Sequence, residues 1–330
     1  MWSNRFTRIA SAVTAVAVVT ALVPAVADAA PSRHRAARIV AAKNVSLERV
    51  DITVDSPSMG RKMKVTVLTP GGTDLRPSLY MLDGADAGED VSDWITKGGA
   101  GQYFAGRNVN VVLPAGGAAS FYTNWRNTDA KLGKPQWETF LTKELPPLIN
   151  ERYHGSGNNA VMGLSMGGQS AFALAARHPE LYRGVASLSG CPPITGPANE
   201  AYVRSTLAKS GADAVKMWGT PGGAYWRDHD PARKLDALRG KRIFISAGSG
   251  AIGPFDLTAD YDPSEGPRDA QMAAGSALEV GAYRCSLEFA ADLQREGIAF
   301  TPGFRLIGTH RWDYWKQDLP KAWETLAPAL

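Results

Sequence analysis

The chain has 330 residues, 44% of them hydrophobic and 21% charged, which is enough apolar material for a substantial core and excludes an intrinsically disordered protein. The formal net charge of +4 is spread along the chain without a Lys/Arg run, so nothing in the sequence points to a nucleic-acid partner.

In chain order, Arg5 and Arg8 precede an apolar stretch over 9–26, and Ala27-Asp28-Ala29 follows as a small-residue cleavage site. This pattern predicts a signal peptide over 1–29 and a protein secreted to the cell envelope. The stretch is Ala-rich and interrupted by Pro24, and no other stretch is long and apolar enough, so no stable membrane span is expected. Residues 30–45 are polar, basic and aperiodic, and are expected to form a disordered leader. Residues 46–330 read as one catalytic domain.

Within that domain, 47–54 and 61–68 alternate with period two and flank a Pro/Gly turn, as in an edge hairpin. Short strands are expected at 78–82, 108–113, 159–162, 184–188, 242–247 and 301–306. Helices are expected at 134–150, 168–177 and 273–296, the last in one or two pieces. The alternation predicts an α/β fold with a mostly parallel central sheet and helices on both faces. The stretch 192–240 reads as an irregular insertion that shapes a substrate pocket. The chain has two cysteines, Cys191 and Cys285. An even count in an oxidising compartment favours a bridge between them.

The strongest local signal is Gly163-Leu164-Ser165-Met166-Gly167, preceded by an apolar strand and followed by a helical pattern. A sharp strand–turn–helix of this kind lifts a serine hydroxyl above the sheet at a helix N-terminus. Ser165 is therefore the expected nucleophile, and the N–H of Met166 an oxyanion donor. A second donor is expected after the strand 78–82, at the N–H of Ala85.

Ser165 needs a general base that follows it in the chain, which removes His34 and His154. His178 ends the next helix, pointing away, and His229 lies in the insertion. His310 leaves the last predicted strand and is the expected base. Pattern alone leaves the acid open among Asp256, Asp260, Asp262, Glu265, Asp269, Glu279 and Glu288. The usual position, just after the strand 242–247, favours Asp256.

Leu82-Asp83-Gly84, Ser120-Phe121-Tyr122-Thr123-Asn124-Trp125, Trp137-Glu138-Thr139-Phe140-Leu141, Ser187-Leu188-Ser189-Gly190 and Gly308-Thr309-His310-Arg311-Trp312-Asp313-Tyr314-Trp315 stand in the same order as in the antigen 85 mycolyltransferases. The chain resembles that family from about residue 47 to about 320. The resemblance implies an α/β-hydrolase fold with a Ser-Glu-His triad. Leu278-Glu279 with Arg284 and Phe289 matches the family's acid segment, which moves the expected acid from Asp256 to Glu279. It also implies sugar-binding roles for Asp83 and Trp312. Asp86 stands where family members carry an arginine, which puts the acceptor site in doubt. The activity implied is transfer of a mycolyl group from trehalose monomycolate, through acyl-Ser165, to a second trehalose monomycolate or to arabinogalactan. The alternative is a secreted carboxylesterase with water as acceptor. No metal or cofactor is expected.

Overall fold

The computed structural model describes residues 1–2, 35–258 and 260–330. Apart from residues 1–2, the expected signal peptide and the first part of the expected leader lie outside the described residues. The elements below belong to the unit Arg35–Leu330.

Nine strands form one sheet: β1 (Arg38–Asn44), β2 (Arg49–Ser56), β3 (Arg61–Leu68), β4 (Arg76–Leu82), β5 (Asn110–Pro114), β6 (Gly155–Leu164), β7 (Tyr182–Leu188), β8 (Arg242–Gly248) and β9 (Thr301–Arg305). Their order is β1-β2-β3-β5-β4-β6-β7-β8-β9. The first three run antiparallel, β3 meets β5 antiparallel, and every pair from β5 to β9 is parallel.

Eleven helices are described: α1 (Asp93–Thr96), α2 (Ala100–Phe104), α3 (Trp137–Thr139), α4 (Leu145–Tyr153), α5 (Met166–Arg177), α6 (Pro197–Lys209), α7 (Ala214–Trp218), α8 (Ala224–His229), α9 (Pro254–Thr258), α10 (Arg268–Arg295) and α11 (Trp312–Leu326). Among the described residues, none is long and apolar enough to cross a membrane.

Both faces of the sheet are covered, which explains why its central strands are apolar runs rather than alternating ones. Tyr80, Leu82, Val161, Ile243 and Ile245 point to one core with Phe172 of α5 and Phe289 of α10. Leu79, Met81, Met162 and Phe244 point to the other, with Trp94 of α1 and Leu319 of α11. The fold is that of the α/β-hydrolases.

Three expectations are corrected. Residues 38–44, expected in a disordered leader, form β1, because Arg38–Asn44 pairs with β2 and satisfies its edge. The stretch 192–240 is mostly helical, carrying α6, α7 and α8 and burying Val203, Leu207, Met217, Trp218 and Trp226. Its Gly and Pro residues sit at helix boundaries and mask the helical signal. The helix expected over 134–150 is interrupted by a π-helical turn at Phe140–Glu144.

Candidate active site

Ser165 ends β6 and caps α5 with φ 52° and ψ −125°, a conformation that costs a non-glycine residue energy. The neighbouring glycines make the turn possible. A Cβ on Gly163 would sit 2.4 Å from the Gly167 carbonyl, and one on Gly167 would sit 2.3 Å from the Asp83 oxygen. The turn leaves the serine partly exposed, at the carboxyl ends of the parallel strands, where open α/β sheets bind ligands.

His310 lies beyond β9 in the loop before α11. Its Nε2 is 2.8 Å from Ser165 Oγ. Its Nδ1 is 2.7 Å from Glu279 Oε2. The carboxylate holds the proton on Nδ1 and leaves Nε2 free to accept from the serine. Glu279 has no solvent-exposed surface. Its Oε1 accepts from the Ser189 hydroxyl at 2.7 Å and the Gly248 N–H at 2.5 Å. Three donors thus hold a buried charge that would otherwise be costly. Ser189 in turn accepts from Trp315 Nε1 at 2.8 Å, and the Trp315 ring packs edge-on to His310 at 5.0 Å.

Asp256, the acid favoured by position alone, is also fully buried but does not touch the imidazole. It accepts from the Thr309 and Tyr314 hydroxyls and from the Gly253 N–H. It anchors the residue before His310 instead.

The N–H groups of Met166 and Ala85 have no acceptor among the described residues. Met166 is the first residue of α5, where N–H groups lack intrahelical partners. The Ala85 carbonyl accepts from Ala119 N–H at 3.0 Å, and Asp83 N–H donates to the Tyr122 hydroxyl at 3.1 Å. The loop before α3 therefore fixes the loop that carries Ala85. Among the described residues, no three His, Cys, Asp or Glu side chains gather as metal ligands.

The esterase family model matches residues 56–326. The MPT51/MPB51 antigen of Mycobacterium tuberculosis is 41% identical over 248 residues, covering 73% of this chain and 80% of the relative. The diacylglycerol acyltransferase/mycolyltransferase Ag85C of Mycobacterium avium is 34% identical over 276 residues, covering 81% and 74%. The chain belongs to the antigen 85/MPT51 family of esterases. The crystal structure of Mycobacterium tuberculosis MPT51 superposes with a TM-score of 0.71 at 29% identity, covering 88% of this chain and 98% of that one. An S-formylglutathione hydrolase from Agrobacterium tumefaciens shares the fold at a TM-score of 0.60 and 18% identity.

The two residues given sugar contacts by likeness to the antigen 85 family differ in their surroundings. Trp312 is half-buried, set edge-on to Trp94 and Trp315 at 5.3 Å each. Asp83 has no exposed surface, and its Oδ1 accepts from the Ser92 hydroxyl and the Trp94 N–H. Its Oδ2 has no partner among the described residues, and burial raises its pKa to about 7. In this arrangement no sugar reaches it, because the carboxylate is buried against Ser92 and Trp94 at the start of α1. Asp86, the family's arginine position, is exposed and pairs with Lys209 of α6 at 3.1 Å.

Cys191 and Cys285 form a disulfide with Cα atoms 5.3 Å apart. Three consecutive residues after β7 are tied to α10: Ser189 to Glu279, Gly190 to Ser286 and Cys191 to Cys285. His178 and His229, set aside as bases, flank buried Glu138 with Arg177. Burial opposes the charge of Glu138, but the two histidines and Arg177 outweigh it and hold the carboxyl well below its usual range. Ser189 and Trp315 were not singled out from the sequence. The signal for both is their place in family-like segments, Ser187–Gly190 and Gly308–Trp315.

Proposed function

We propose that the protein is a secreted acyltransferase that moves a mycolyl group from trehalose monomycolate to a second trehalose monomycolate or to arabinogalactan. The observation that carries the reading is the unbroken relay from Ser165 through His310 to Glu279, facing two unbonded N–H groups. The mycolyltransferase activity of the Ag85 relatives supplies the mycolyl group. The apolar stretch at 9–26 with its cleavage site, and the disulfide, support secretion.

Ser165 Oγ attacks the ester carbonyl as His310 Nε2 takes its proton. The oxyanion is held by the N–H groups of Met166 and Ala85. Collapse breaks the bond to the trehalose oxygen, which receives the proton from His310. An acceptor hydroxyl then attacks the acyl-serine, giving its proton to His310, and collapse breaks the acyl–Oγ bond as His310 returns the proton to Ser165. Trp312 offers an indole face to the sugar. Water competes as acceptor, since Ser165 and His310 are both partly exposed.

Mass spectrometry of the protein after exposure to trehalose monomycolate tests the reading. The expected result is a mycolyl adduct on Ser165, absent in Ser165→Ala, and trehalose dimycolate as product. An adduct chased only by water would leave the hydrolase alternative. No adduct, with no labelling by a fluorophosphonate probe, would overturn the nucleophile.

A further inference from the structure

Buried Glu138 of α3 gathers three basic side chains. Arg177 Nε and His178 Nε2, at the end of α5, lie 2.8 and 2.7 Å from its Oε1. His229 Nε2, at the end of α8, lies 3.6 Å from its Oε2. The other nitrogen of His229, Nδ1, is 2.7 Å from the Tyr225 carbonyl oxygen. A carbonyl only accepts, so Nδ1 carries a proton. A neutral ring then turns a lone pair toward the Glu138 carboxylate, and only the doubly protonated ring serves both neighbours. His178 can donate while neutral, since its Nδ1 is 4.0 Å from the nearest carboxylate oxygen, that of exposed Glu180. The other charged groups nearby are engaged: Asp228 pairs with Arg177 and Lys234, and Arg126 stacks on Tyr225 at 3.9 Å.

The ring of His229 packs against Trp218 of α7, with centroids 5.2 Å apart. Trp218 meets Phe121 edge-on at 5.8 Å and donates from Nε1 to the Thr123 hydroxyl at 3.2 Å. The loop held in this way reaches both candidate oxyanion donors. Phe121 N–H points to Met166 Sδ at 3.3 Å, and Ala119 N–H donates to the Ala85 carbonyl at 3.0 Å. Ala119, Phe121 and Tyr122 have φ of 50°, 52° and 46°, so the loop is strained and keeps its shape only while its neighbours hold it.

We propose that His229 is a positioning residue for acyl transfer: its charged form clamps α8 to Glu138, which holds Trp218 against the loop 119–123 and keeps the Met166 and Ala85 N–H groups aimed at the oxyanion. The inference rests on Ser165 being the nucleophile. When His229 loses a proton, a lone pair opposes a carboxylate, and the ring can satisfy Glu138 only by giving up Tyr225. The clamp is therefore closed at acidic pH and opens as pH rises. His310 must lose its own proton to act as base, so the two histidines bound the working range from opposite sides. Asp83, two residues before Ala85, also titrates near pH 7, and its effect would persist in a His229 variant.

The test measures kcat and KM on p-nitrophenyl butyrate from pH 5 to 10 for the full chain, with thermal melting of each variant. Wild type should give a bell, rising as His310 is freed and falling about 10-fold in kcat as His229 loses its proton. The amide of His229→Asn keeps the Tyr225 bond but leaves Glu138. In that variant the fall should vanish, onto a plateau about 10-fold below the wild-type maximum with KM within about 3-fold. The amide of His229→Gln reaches Glu138 at every pH and should recover part of kcat, again without the fall. Tryptophan emission of wild type should rise in two steps, because a charged imidazole quenches an indole it touches. Trp315 beside His310 gives the step at the rising limb, and Trp218 beside His229 the step at the falling limb. A fall that persists in the folded variants belongs to Asp83 and overturns the role of His229. A wild type with no fall, or without the second emission step, overturns it too. A wild type that neither cleaves the ester nor takes a fluorophosphonate overturns the Ser165 reading instead.

Discussion

Replacing Glu279 with glutamine changes one atom, and the surroundings decide which way the amide lies. Trp315 Nε1 donates to Ser189, so the single Ser189 proton is committed to Oε1 of Glu279. The Gly248 N–H donates to the same oxygen. The glutamine oxygen must therefore take the Oε1 place, which turns the NH2 toward His310 Nδ1. An NH2 there can only donate, so Nδ1 becomes the acceptor and the proton moves to Nε2. The imidazole then presents a donor to Ser165 and cannot take its proton. In serine proteases this tautomer error costs about 10⁴ in kcat, and the same geometry predicts a loss of about 10³- to 10⁴-fold here, or about 4 to 5.5 kcal/mol. The assay is kcat/KM on p-nitrophenyl butyrate from pH 6 to 9, with thermal melting to show that the variant is folded. A loss of less than about 10-fold at neutral pH would refute the argument.

Three further outcomes are expected. Asp83 titrates near pH 7 in the folded chain, so the native state keeps a proton that the unfolded state loses near pH 4, and stability falls as pH rises through that window. Three pKa units correspond to about 4 kcal/mol, and Asp83→Asn should flatten this slope in urea unfolding at pH 4.5 and 7.5; parallel slopes would refute it. Replacing both Cys191 and Cys285 with serine opens a loop of sequence separation 94, which the chain-entropy relation sets at about 4–5 kcal/mol, read by urea denaturation. Asp256→Ala leaves the Thr309 hydroxyl, the Tyr314 hydroxyl and the Gly253 N–H unpaired, and should destabilise by about 3 kcal/mol or more while raising the mobility of His310.

The Ser165 turn, the histidine that meets it and the sheet class were legible because they are local: a glycine spacing, an apolar run, a position after a strand. The acid was not, and Asp256 and Glu279 show why. Both are buried carboxylates within reach of the last loop, one holding Thr309 and the other His310 itself. One residue of chain separates the two roles, and periodicity carries no such distinction; only likeness to a family picked Glu279. Helicity in the insertion was hidden by Gly and Pro at the ends of α6, α7 and α8. β1 was missed because its apolar residues, Ile39-Val40-Ala41-Ala42, show no alternation and lie mostly exposed at the outer edge.

The carboxylate of Glu279 projects from the middle of a single 28-residue helix, eleven positions from its first residue, Arg268. A loop can absorb an added or lost residue by changing its path. A helix cannot, because each residue turns the axis by about 100°. One insertion between Glu279 and Cys285 would swing the carboxylate away from His310 while Cys285 and Ser286 stayed clamped to the loop after β7. The reach of the acid is thus a matter of phase. Substitutions on the exposed side of α10 should be broadly tolerated, whereas length changes between Glu279 and Cys285 should abolish the relay without unfolding the sheet.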